Sequence, residues 1–153
     1  MINASAMINR EEMPKTVTPE EAQNLLGEGY VYVDVRSEPE FEGGHPAGAV
    51  NVPISHMGVA GFEPNPEFMA VFEKTFEKDA KLIIGCKTGA RSRRAAAMLT
   101  SAGFQNVADM IAGFAGSRDA FGRPSPGWSQ KGLPVETGSP DGRAYADVKH
   151  RAR

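Results

Sequence analysis

An α/β fold, a parallel sheet covered by helices on both faces, is what this sequence predicts, and two observations carry that reading. Short runs of β-forming residues alternate along the chain with segments whose apolar residues recur every three or four positions. Strands separated by helices pair in parallel through right-handed crossovers, which lays the helices on both faces of the sheet.

The elements follow in order. After a polar leader over residues 1–14, Thr18-Pro19-Glu20-Glu21 reads as a helix start: Thr18 caps, Pro19 takes the first helical position, and Glu21 closes a capping box. Ala22, Leu25 and Leu26 give this helix its apolar face, and Gly27 ends it. The run Tyr30-Val31-Tyr32-Val33-Asp34-Val35 predicts a buried strand ending near Asp34. Gly, Pro and charge crowd the stretch from Ser37 to Gly48, a loop with one helical turn, and a short strand from Ala49 to Val52 stops at Pro53. Asn65-Pro66-Glu67 opens a second helix, where Phe68, Phe72 and Phe76 recur every four residues, a spacing that predicts packing on a core.

Lys81 to Gly85 is of strand length, Ser92 to Ala102 is helical up to Gly103, and Val107-Ala108-Asp109-Met110 is a further strand. The last element ends near Val135, which gives one domain over 15–138. From Ser139 to Arg153 the polar tail shows no core pattern and is expected to be mobile.

Composition sets outer limits. A chain of 153 residues with 41% hydrophobic and 24% charged side chains fits a single globular domain. A net charge of -2 supplies no global field for a polyanion, so nucleic acid is not an expected partner. No apolar run approaches the roughly 20 residues that cross a bilayer. The opening MINASAMINREEMPK lacks the apolar centre of a secretory signal, so no membrane partner and a cytoplasmic location are expected. The one cysteine, Cys86, can form neither an internal disulfide nor a multi-cysteine metal site.

Cys86-Lys87-Thr88-Gly89-Ala90-Arg91 joins a strand end to a helix start, the place where open α/β sheets bind ligands. A lone cysteine is more often a small buried hydrophobe, and position reverses that expectation here. Helix N-terminal N–H groups, with Lys87 and Arg91 beside them, favour the thiolate, the nucleophilic form. Gly89 permits a positive φ, so successive N–H groups can turn inward as a nest for a thiolate, a persulfide or an oxyanion. Lys87 either attracts an anionic donor or is only solvated at the loop tip. Arg91 reads first as a structural ion-pair partner and second as a substrate contact.

With these residues in hand the chain resembles the rhodanese family from about Thr16 to Gly138. The resemblance lies in Asp34-Val35-Arg36, Glu40-Phe41 and Gly44-His45-Pro46-Ala47-Gly48-Ala49-Val50-Asn51-Val52-Pro53. It continues in the loop Cys86 to Ser92, in Ala102-Gly103-Phe104 and in Gly132-Leu133-Pro134-Val135. It implies a three-layer fold with a parallel five-stranded sheet and helices on both faces. It also implies a double displacement in which Cys86 takes sulfane sulfur from thiosulfate or a persulfide and yields it to cyanide or a thiol, with no metal or organic cofactor.

Carried over, the N–H groups of Lys87, Thr88, Gly89, Ala90, Arg91 and Ser92 hold the persulfide. Asp34 and Arg36 orient the loop through ion pairs, and His45 hydrogen-bonds in the neighbouring turn. The implied partners are a small sulfur donor and a thiol or cyanide acceptor, with a protein acceptor as a further case; oligomeric state is left open. Four residues separate Cys86 from Arg91, whereas the related phosphatases have five, which favours sulfur over phosphoryl transfer or arsenate reduction. A binding or redox-sensing module without catalysis is the other alternative, and the intact loop argues against it. The pattern departs after Met110, where Ile111-Ala112-Gly113-Phe114 replaces the usual Gly-Gly pair and an insertion from Gly116 to Gly127 borders the expected pocket.

Overall fold

Five strands make the central sheet of the computed structural model, which describes residues 14–152. Numbered among themselves they are β1 (Lys15–Val17), β2 (Val31–Asp34), β3 (Val50–Asn51), β4 (Lys81–Gly85) and β5 (Asn106–Met110). Their spatial order is β1-β5-β4-β2-β3 and every pairing is parallel. Successive side chains of a strand point to opposite faces, so Leu82 and Ile84 enter one apolar cluster and Ile83 the other.

On one face lie α3 (Phe68–Thr75), α4 (Ala90–Ser101) and α5 (Tyr145–Arg151); on the other lie α1 (Pro19–Leu26), α2 (Glu38–Gly43) and the fully buried Trp128. The expected three-layer arrangement with five parallel strands is therefore present. The box at Thr18 is also present: Glu21 donates its N–H to the Thr18 hydroxyl at 3.1 Å, and the Thr18 N–H donates to the Glu21 carboxylate at 2.8 Å. The Phe-rich helix packs inward. Phe68 and Phe72 are buried, and Phe72 meets the Phe104 ring edge-on with centroids 5.2 Å apart, a favoured aromatic geometry.

Several elements lie outside the sequence-based reading. β1 buries only Val17, too little to leave a period. Two antiparallel hairpins, Ser55–Gly58 with Gly61–Pro64 and Ser117–Arg118 with Pro124–Ser125, are short and largely solvent-facing. The expectation of a mobile tail over 139–153 is corrected by α5, whose Tyr145 and Val148 are buried in the cluster that holds Phe72 and Leu99. Two apolar residues three apart are too short a stripe to read as a core-facing helix. Upstream of it, the Asn51 N–H donates to the Arg143 carbonyl at 2.8 Å and ties the segment to β3. The polar leader lies outside the described residues apart from Pro14.

Because Val148 is completely buried, Val148→Ala is expected to cost about 2 kcal/mol through lost contacts and a residual cavity. Urea unfolding measures this; an unchanged midpoint would mean that α5 does not pack on the core.

Candidate active site

Register places the candidate cysteine. β4 runs beside β2 with Gly85 level with Asp34, and the Val35 N–H donates to the Gly85 carbonyl at 2.9 Å. Cys86 leaves the sheet here, 1% exposed, as the first residue of the loop into α4. Gly89 has φ +116°, a backbone conformation that disfavours any residue with a Cβ. That turn aims its N–H at the Cys86 Sγ, 3.1 Å away. The first helical bond of α4 runs from the Arg93 N–H to the Gly89 carbonyl at 3.1 Å, so the N–H groups of Ala90, Arg91 and Ser92 precede the helical ladder. α4 thus begins two residues before the expected Ser92, with Gly89 at its N-cap.

The loop is braced from outside. Phe114 and Ala115 donate N–H groups to the carbonyls of Cys86 and Lys87 at 2.8 and 2.9 Å. A Cβ on Gly113 would collide with the Lys87 carbonyl, so this approach requires glycine. Ala112 and Gly113, which stand at the departure from the family pattern, have φ of 69° and 68°. Ala112 thus adopts a turn that would suit a glycine better. Trp128 and Ser129 in turn donate N–H groups to Gly113 and Phe114 at 3.0 and 3.1 Å, and the Trp128 indole donates to the Pro134 carbonyl at 2.7 Å. The late tryptophan therefore clamps the bracing segment.

Charged side chains fix the remaining sides. Arg36 and Asp34 are buried partners, Nη2 to Oδ2 at 2.7 Å and Nε to Oδ1 at 3.0 Å. Arg36 also donates to the Gly44 carbonyl at 2.6 Å and lies 4.6 Å from the centre of the Phe114 ring. Asn51 donates its amide to the carbonyls of Asp34 and Arg36 at 2.9 and 3.0 Å. Arg91 makes a bidentate pair with Glu40 at 2.8 and 3.0 Å and lies 4.4 Å from the centre of the Phe62 ring. The Ser92 hydroxyl donates to Asp109 Oδ1 at 2.7 Å; burial raises the Asp109 pKa, opposed by that bond and by the charge of Arg93.

Of the loop residues, Gly89 bonds the Cys86 sulfur, while the supporting residues divide by place. Lys87 and Thr88 are exposed at the loop. Arg91 has the structural pairing that its residue type suggests. His45 is fully buried, stacked on Phe41 with ring centres 3.7 Å apart, and its two nitrogens face the Phe41 carbonyl at 2.6 Å and Glu136 at 3.1 Å. Sequence reasoning assigned no role to Glu40, Phe62, Asp109 or Gly113. The spacing Ser37-x-x-Glu40, read only as part of a loop with one helical turn, could have signalled the capping box that is present, but nothing local signals the reach of Glu40 to Arg91, 51 residues away.

Burial pushes the Glu40 carboxyl up, yet the hydrogen bonds from Arg91 and Ser37 outweigh it and hold its pKa at about 2 against an ordinary 4.5. A depressed carboxylate stabilises above its unfolded pKa and loses that contribution as pH falls towards its folded one. Glu40 should therefore supply about 2 kcal/mol of the stability lost between about pH 5 and about pH 3. Glu40→Gln is expected to flatten that loss in urea titrations, without abolishing it, because Arg143 holds Glu136 at about 2 as well. An identical acid slope in the variant would contradict the pairing.

Comparison with known proteins agrees with this geometry. Residues 18–120 match the rhodanese-like domain family. Thiosulfate sulfurtransferase 16, chloroplastic, of Arabidopsis thaliana is 34% identical over 130 residues, 85% of this chain and 99% of that protein. Thiosulfate sulfurtransferase GlpE of Haemophilus influenzae (strain PittEE) is 30% identical over 123 residues, 80% of this chain and 95% of its own. The crystal structure of Rv0390 from M. tuberculosis superposes with a TM-score of 0.67 at 30% identity, covering 81% of this chain and 98% of the other. The cytoplasmic expectation is corrected by these relatives: the Arabidopsis protein is chloroplastic, as are two of its rhodanese-like domain-containing relatives. The test applied to the opening residues covers secretory signals only, whereas organelle transit peptides follow another pattern. The chain belongs to the rhodanese-like domain family.

Proposed function

We propose that this protein is a sulfurtransferase that carries sulfane sulfur as a persulfide on Cys86. The observation that carries the reading is the Gly89 N–H on the Cys86 sulfur at 3.1 Å, made by a loop that curls around that one atom at the end of β4. A donor at this point must be slender, because Cys86 keeps only 1% of its surface exposed. The outer sulfur of thiosulfate or of a persulfide meets that requirement.

In the first half-reaction the Cys86 thiolate attacks the outer sulfur of thiosulfate. A new S–S bond forms to Cys86, the old one breaks, and sulfite leaves with its electron pair. In the second, cyanide or a thiolate takes the outer sulfur and the pair of the broken bond returns to Cys86 as thiolate. The cycle balances without a redox partner or cofactor. Loop N–H groups from Lys87 to Ser92 stabilise the negative sulfur in both states, charge being met by dipoles already in place. Exposed Lys87 adds a long-range attraction for anionic donors. With a single cysteine the chain cannot resolve its own persulfide, so a small thiol, cyanide or a protein thiol must do so. The four-residue spacing from Cys86 to Arg91 supports sulfur as the cargo over phosphate or arsenate.

Cys86→Ser tests the assignment through thiocyanate formation from thiosulfate and cyanide. Loss of at least about 1000-fold in rate is expected, since a hydroxyl is a far weaker nucleophile than a thiolate, with an unchanged thermal midpoint. Residual activity within tenfold of wild type would remove Cys86 from the chemistry.

A further inference from the structure

Next to the sulfur loop lies a cavity of about 880 Å3, a size that suits a small organic ligand. Its near wall is Gly89 and Ala90, continuing along α4 past Arg93 and Ala97. Ile111 and Ala112 also line it, with Arg118 and Ala120 of the 117–125 hairpin. Cys86 does not line it. Gly89 is the shared residue: it lines the cavity and donates its N–H to the Cys86 sulfur at 3.1 Å. A molecule seated there touches the residue whose N–H bonds the Cys86 sulfur.

The lining sets the ligand's chemistry. Alanines and Ile111 supply apolar surface, and two guanidinium groups arrive from different elements. The acids of the cavity are already engaged: Asp109 by the Ser92 hydroxyl at 2.7 Å, and Asp119 by Arg123 Nε at 3.0 Å and by the N–H of Phe121 at 2.9 Å. Arg118 donates to the Gly122 carbonyl at 2.6 Å; neither it nor Arg93 makes a direct ion pair among the described residues, and the charge of Arg93 acts on Asp109 without one. Neither guanidinium is held in a direct ion pair, and a guanidinium suits a carboxylate in particular.

We propose that this cavity is the acceptor site and that it seats the carboxylate-bearing body of a small organic thiol, held by Arg93 and Arg118, whose sulfur reaches the persulfide across Gly89. The proposal rests on the sulfur-transfer reading. The acceptor thiolate attacks the outer sulfur of the Cys86 persulfide, forming a new S–S bond. The bond to Cys86 breaks, its electron pair stays on Cys86, and the acceptor leaves as its own persulfide.

The test uses the full chain, loaded with thiosulfate and discharged by mercaptosuccinate, 2-mercaptoethanol or cyanide, as wild type and as the double variant Arg93→Ala, Arg118→Ala. The variant should raise KM for mercaptosuccinate about tenfold or more, the loss expected for charge-assisted hydrogen bonds. Discharge by uncharged 2-mercaptoethanol, and by cyanide, should change less than about twofold. Unchanged KM for mercaptosuccinate, or equal weakening of all three acceptors, would overturn the proposal. Methylthiosuccinate, which cannot accept sulfur, judges the cavity independently by NMR titration. Binding that weakens about tenfold in the variant supports the site even if no sulfur loads, whereas absent or unaltered binding overturns it. Failure of loading and of cyanide discharge in wild type would instead overturn the sulfur-transfer reading itself.

Discussion

The Gly89 N–H on the Cys86 sulfur is the contact on which the rest of the site depends. It exists because residue 89 has φ +116°, a conformation open to glycine at little cost. The turn also makes Gly89 the N-cap of α4, so the helix begins at the sulfur. A helix start placed this way leaves N–H groups free of the helical ladder beside that sulfur. In the proposed reaction such a cradle needs no movement of charge within the protein, because its dipoles are already in place.

Fixing them is the task of the surrounding network. The loop's own carbonyls are held by Phe114 and Ala115, that segment is held by Trp128 and Ser129, and Gly113 permits the close approach. Arg91 is drawn outward to Glu40 and so shapes the loop from its far end. The buried pair of Asp34 and Arg36 is better understood as orientation than as stability, since desolvation cancels much of the attraction in such pairs. Arg36 Nη2 also donates to the Gly44 carbonyl, and its flat face lies over Phe114. One side chain thus links the strand end, the turn before His45 and the brace of the loop.

Much of this was legible in the sequence because it is local. The capping box at Thr18, the strand Lys81–Gly85 and the cysteine at its end each leave a signature within a few residues. The positive φ of Gly89 follows from the same logic. What stayed hidden joins distant residues: Glu40 to Arg91, Ser92 to Asp109, and Trp128 to Gly113. Spacing along the chain carries no record of such contacts. The helix after residue 144 stayed hidden for another reason, since its apolar stripe is two residues long and is buried among residues distant in sequence, Phe72 and Leu99 included. Compartment was misjudged because a missing secretory signal says nothing about other routes.

The measurement that bears most directly on the account is the intact mass of the protein after thiosulfate, and again after cyanide. The account predicts a gain of one sulfur, about 32 Da, on wild type alone and not on Cys86→Ser, reversed by cyanide as thiocyanate appears. An unmodified wild-type mass after reducing pretreatment and thiosulfate, or an adduct that Cys86→Ser also acquires, would contradict it.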